Sequence, residues 1–168
     1  MIIGYADPPY PGQSKKHYAD HPDYGGEVDH EALIDSLYND YDGFVLHTNS
    51  VSIPRIAPHI RSTTRWMAWV KPFAAFKRNV PVAYAWEPVL VEAVRKPVVS
   101  HRIKPLRDWF AESITLKRGL TGAKPAPVCK WLFECVGAQP DDAIKAIFPG
   151  SGAVTLAWRE WQQQYSEQ

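Results

Sequence analysis

The chain is 168 residues long, 45% hydrophobic and 22% charged, with a formal net charge of +1. That length predicts one domain with a single sizeable core, and the composition is that of an ordinary globular protein. No apolar run approaches the roughly 18 residues of a membrane span, no basic-then-apolar N-terminus marks a secretory signal, and Cys129 and Cys135 are too few for a disulfide framework or a CxxC metal knuckle. Two buried thiols in a reducing cytoplasm are expected instead.

Residues 2–6 (IIGYA) predict a short buried strand. Asp7-Pro8-Pro9-Tyr10 must end it, because each proline lacks an N–H and fixes φ. The result is a stiff loop presenting one carboxylate and one aromatic ring. Residues 11–28 are too polar and too rich in glycine and proline for regular structure. Asp29 is a plausible N-cap for the helix HEALIDSLYN, whose Leu33, Ile34 and Leu37 share one face. GFVLHT (43–48) predicts a second strand, 54–61 a proline-punctuated helix, 63–70 a third strand and 82–94 a fourth. Residues 95–124 lack apolar periodicity and are rich in Lys, Arg and Gly, as an inserted loop outside the core would be. A helix over 127–138 ends at Gly137, AIKAIF (143–148) is a fifth strand, and AVTLAWREWQQQ is a final helix. Strands alternating with helices predict an α/β fold with a mostly parallel sheet.

The small net charge hides a strong division. Residues 1–50 carry two Lys/Arg against nine Asp/Glu, whereas residues 95–130 carry nine against two, a local charge of +7. Such a segment suits a polyanion, most often nucleic acid, although a solvated basic face accounts for it equally well. Lys15, Lys16, Arg95, Lys96, Arg102, Lys104, Arg107, Lys117 and Arg118 are the candidate phosphate contacts. Trp109-Phe110, inside the basic segment, could stack on or wedge between bases, or make a dimer contact.

Phe148-Pro149-Gly150-Ser151-Gly152 is a glycine-rich turn between the last strand and the last helix. Such a turn lets backbone approach a ligand closely and points helix N–H groups toward it. It is not the GxGxxG fingerprint, since Thr155 stands three residues past Gly152, and no GxxxxGK[ST] loop is present. His17, His21 and His30 with Asp20 and Asp23 could suggest a metal site. The first two lie in a broken loop without metal-ligand spacing, so solvated histidines are expected and no metal.

DPPY on one strand and FPGSG on another together resemble the amino-methyltransferases that modify exocyclic amines of nucleic-acid bases. With DPPY first and FPGSG last, the order resembles the permuted, β-class DNA methyltransferases, in which a target-recognition segment lies between the two halves. WVKP (69–72), YAWEPVLV (84–91), GAKPAPVCKWLFECVGAQPDD (122–142) and FPGSGAV (148–154) look like the small phage-type members of the DPPY adenine-methyltransferase group. The resemblance implies a truncated Rossmann-like sheet of about five strands with flanking helices. One domain over 1–168 would contain a catalytic half (1–94), a recognition insertion (95–124) and a cofactor half (125–168). It implies a cytoplasmic, phage- or prophage-encoded enzyme that uses S-adenosylmethionine (SAM) and acts on DNA.

Asp7, Pro8, Pro9 and Tyr10 would then be catalytic, with Ala6, Asp7, Lys124, Phe148, Pro149, Gly150, Ser151 and Gly152 on the cofactor. In the resembling families an aspartate at the Asp7 position accompanies adenine N6 methylation, and serine is commoner in cytosine-N4 enzymes. One departure stands out: the chain ends sixteen residues after Gly152, without the strand whose acidic end holds the cofactor ribose in full-size enzymes. Glu160 is available but carries no matching motif. The sheet is expected to follow an order like 1-4-5-7-6 of the usual methyltransferase sheet, with an open edge beside the FPGSG strand that a homodimer could cover.

Overall fold

The computed structural model describes residues 1–10, 26–73, 78–96, 105–114 and 123–166. Strand β1 (Ile2–Ala6) lies between β2 (Gly43–His47) and β6 (Ala143–Ala146), parallel to both. Beyond β2 come β4 (Trp86–Glu92) and β3 (Arg65–Val70), and the sheet reads β5-β3-β4-β2-β1-β6. The expected order holds, with the FPGSG strand at one edge. The sheet is mostly parallel, as expected, with β4 antiparallel to both neighbours. One expectation is corrected: a sixth strand, β5 (Trp109–Ala111), parallel to β3, forms inside the segment expected to be loop. Phe110 stacks on Trp131 with ring centroids 5.5 Å apart, and Leu106, Phe110 and Ile114 pack on the core, so a few apolar residues anchor that polar segment.

Helices cover both faces. On one, α1 (His30–Asp40) and α2 (Ile53–Ile56) bury Leu33, Ile34, Leu37 and Ile56 against Ala6, Phe44, Leu46 and Leu90. Asp29 caps α1 as its sequence predicts, accepting from the N–H groups of Glu31 and Ala32 at 3.1 Å. The predicted helix at 54–61 is instead α2 between two short 3-10 turns, because Pro54 and Pro58 interrupt the ladder. On the other face, α3 (Ala126–Cys135) and α4 (Ala153–Ser166) pack on Ile3, Tyr5, Val45, Val89 and Val91. Phe133 sits edge-on to Tyr5, Trp158 and Trp161. Strands β1 and β2 are buried on both sides, which explains their continuous apolar runs. Cys129 and Cys135 are both buried and unbridged, as expected.

Candidate active site at the carboxyl end of the sheet

β1 and β6 are parallel neighbours in which Tyr5 pairs with Ala146, and the Ile147 N–H reaches the Tyr5 carbonyl at 2.9 Å. Their carboxyl ends therefore lie side by side, and the two glycine- and proline-rich loops leave the sheet together. One carries Asp7-Pro8-Pro9-Tyr10, the other Phe148 to Gly152. Two prolines stop β1 as predicted, and Pro8 is buried. The loop also lies against α1, where the Pro9 backbone is among the groups that act on buried His30.

The second loop holds Gly150 at φ 47 and Gly152 at φ 73, where a β-carbon is strained. The Gly152 N–H closes the turn onto the Pro149 carbonyl at 2.8 Å, and α4 starts at the next residue. Among the described residues, the flanking ones aside, no atom lies within 4 Å of a β-carbon built on either glycine. Pro149, Gly150 and Ser151 are exposed, while Phe148 packs into the smaller core. The turn thus offers open space, free backbone and a helix N-terminus to a ligand.

The floor between β1, β2, β3 and β4 is polar and deeply buried. Lys124 places its ammonium 3.0 Å from Asp7 Oδ1 and 3.1 Å from Glu87 Oε1. Glu87 Oε1 also takes His47 Nδ1 at 2.7 Å, and its Oε2 takes Lys71 Nζ at 2.8 Å. His47 Nε2 stands 2.8 Å from the Tyr5 hydroxyl. Both ammonium groups lie over the Trp69 ring, at 4.4 Å for Lys71 and 5.5 Å for Lys124.

Burial alone would raise the Glu87 carboxyl, but Lys124, His47 and Lys71 outweigh it and hold it well below the usual range. Burial would likewise strip Lys124 of its proton, yet Asp7 and Glu87 hold its ammonium well above the ordinary value. Desolvation pushes the Tyr5 and Tyr10 hydroxyls up and the Cys129 thiol to about 11, so all three stay protonated at neutral pH. Asp7, His47 and Glu87 offer ligand atoms within 4.8 Å of one another, a spacing that could suit a metal ion. The cation between Asp7 and Glu87 is the Lys124 ammonium.

Fifteen chains among the solved structures match. One is M1.HpyAVI, solved as a complex with SAM, which aligns over 96% of this chain and 77% of its own at a TM-score of 0.58 and 18% identity. The chain shares its fold with M1.HpyAVI. No protein-family model matches, and no curated protein does.

The sequence-predicted residues divide in this frame. Ala6, Asp7, Pro8, Pro9 and Tyr10 meet Phe148 to Gly152 at one end of the sheet, and Lys124 reaches Asp7 from the start of α3. Arg95 gives its guanidinium to Asp142, with Nη2 to Oδ1 at 3.0 Å, and donates to the Gly137 carbonyl at 2.7 Å. Lys96 is exposed, and Arg107 lies 5.0 Å over the Trp109 ring. Phe110 is spent on the core, which leaves Trp109, 42% exposed, as the exposed aromatic of that pair. Glu160 pairs with Lys130 at 3.1 Å. Lys15, Lys16, Arg102, Lys104, Lys117, Arg118, His17 and His21 lie outside the described residues.

Sequence reasoning missed Glu87, His47, Tyr5 and Lys71. A signal was present in strand parity, because Glu87 alternates with core-facing Val89 and Val91, and His47 with Val45. A charged residue at a core-facing position needs partners.

Proposed function

We propose that this chain is a SAM-dependent DNA methyltransferase that methylates the exocyclic N6 of adenine. The observation that carries the reading is the emergence of the DPPY loop and the FPGSG turn from neighbouring parallel strands at their carboxyl ends, where α/β folds bind ligands. The open, positive-φ turn before α4 suits a nucleotide-like cofactor. Ala6, Phe148, Pro149, Gly150, Ser151 and Gly152 would hold it. When bound, SAM supplies an electrophilic methyl group on a sulfonium.

The residues supply what an aromatic amine lacks. Its lone pair is delocalised into the base, so it is a poor nucleophile until its N–H bonds are engaged. Asp7 accepts one N–H and the Pro8 carbonyl the other, which favours a pyramidal nitrogen and aims its lone pair. Lys124 engages Asp7 at Oδ1, and the amine is assigned to Oδ2. The prolines keep both acceptors still. Tyr10, uncharged at neutral pH, offers a face to a base drawn out of its stack. Lys15, Lys16, Lys96, Arg102, Lys104, Arg107, Lys117 and Arg118 meet phosphates, and a homodimer that covers the β6 edge belongs to the same reading.

The test is incubation with labelled SAM and DNA, RNA or neither, followed by digestion to nucleosides. Label is expected on N6-methyldeoxyadenosine and is expected to vanish in Asp7→Ala. Label on RNA adenine or on cytosine N4 would move the substrate. No label, with SAM binding undetectable by calorimetry, would make the chain a nucleic-acid-binding subunit.

A further inference from the structure

We propose that Glu87 is a positioning residue that divides the Lys124 ammonium between two carboxylates and so keeps one oxygen of Asp7 available to the substrate amine. The inference rests on the reading of Asp7 as the amine acceptor. An ammonium has three donors and no acceptor. Lys124 sends one to Asp7 Oδ1 at 3.0 Å and one to Glu87 Oε1 at 3.1 Å, with the Trp69 ring 5.5 Å away. Its side chain is only 8% exposed, so water contributes little to its solvation.

Glu87 is itself fixed from two more directions, by His47 Nδ1 on Oε1 and Lys71 Nζ on Oε2. The carboxylate cannot follow Lys124 if Lys124 moves, which makes it an anchor. Two carboxylates and two ammoniums share this floor, with Lys124 8% and Glu87 3% exposed. Without the Glu87 charge, Lys124 has Asp7 as its one anionic partner in this set. The shortest remedy is collapse onto Asp7, covering both carboxylate oxygens, and the other is loss of the ammonium's proton as pH rises. Either way the acceptor geometry at Asp7 is lost, although no Asp7 atom has been changed.

The test compares wild type with Glu87→Gln, which keeps the shape and removes the charge. We expect kcat to fall by about ten- to a hundredfold, the range for a misplaced reacting group, with KM for SAM within about threefold. The alkaline limb of the pH–rate profile should move to lower pH, because a buried ammonium short of one anion releases its proton earlier. Replacing Lys124 by arginine in the Glu87→Gln background should flatten that limb, since a guanidinium does not titrate. The double variant Glu87→Gln with Lys71→Gln restores charge balance, folds where the single variant fails, and should remain slow.

A readout independent of methylation is the carbon-13 NMR titration of the Lys124 side chain, which should shift to lower pH in Glu87→Gln and in the double variant. Wild-type kcat and an unmoved Lys124 titration in the variants would overturn the proposal. So would equal losses of kcat, SAM binding and thermal midpoint with no change in the pH profile, the mark of a merely structural residue. If wild type methylates nothing, the assignment of Asp7 fails, and the Lys124 titration alone decides whether Glu87 holds this ammonium.

Discussion

Gly152 shows how much a single position contributes at the FPGSG turn. Its φ of 73 is strained for any residue with a β-carbon, and the space that carbon would enter is open. Gly152→Ala therefore costs backbone strain alone, about 1 kcal/mol, a drop of roughly 2–4 °C in thermal midpoint for a chain of this size. On the cofactor role proposed for this turn, SAM affinity, read by calorimetry, is expected to fall more than stability does, by about tenfold. Residues of this kind were legible in the sequence. Asp7 to Tyr10 and Phe148 to Gly152 are contiguous runs whose backbone chemistry is local. Glu87, His47, Tyr5 and Lys71 were not, since they come from separate strands and only the sheet register brings them together. Their shared feature, a polar group on a core-facing parity, predicts a buried partner and does not name it.

At the scale of elements, Arg95 and Asp142 tie the segment after β4 to the connection between α3 and β6. Asp142 is buried, receives the Arg95 guanidinium in two bonds, and accepts the Gln139 N–H at 2.8 Å. The Arg95 bond comes first among the causes that hold its carboxyl far below the usual range. The depressed value sets the sign: the pair stabilises the fold fully above the unfolded carboxylate pKa near 4, and that stability is lost as pH falls below it. Asp142→Asn is expected to cost about 2–3 kcal/mol at neutral pH, with the gap to wild type narrowing in thermal melts toward pH 3. Periodicity located every strand except β5, whose three residues are too few to show alternation. It overstated others: the strand expected over 82–94 is Trp86–Glu92, because the ladder starts only where β3 can pair with it.

For the whole molecule, the division of charge along the chain sets what binding should look like. Association with DNA through basic residues releases counterions, so log affinity should fall steeply and linearly with log salt. Arg107→Ala should reduce that slope by about 0.9, since one phosphate is then no longer neutralised. Arg95→Ala should leave the slope alone and lower the thermal midpoint, because its guanidinium is committed to Asp142. A salt-independent affinity would overturn the reading of the basic segment. Strand order was legible from the resemblance at this scale. The mostly parallel direction was legible as well, and the reversal of β4 alone was not, because a βα pattern gives the majority direction and not the exception.

The pairing of β1 with β6 has a consequence in time. Ile2 lies against Ala143 and Tyr5 against Ala146, so the first strand of the chain is completed by the last. Pairings this distant in sequence form late, because a long loop must close before they can stabilise anything. During synthesis the DPPY loop leaves the ribosome well before the FPGSG turn, which comes far later in the sequence. The two loops of the proposed site come together only when β6 docks on β1, which makes that docking the event on which the site depends.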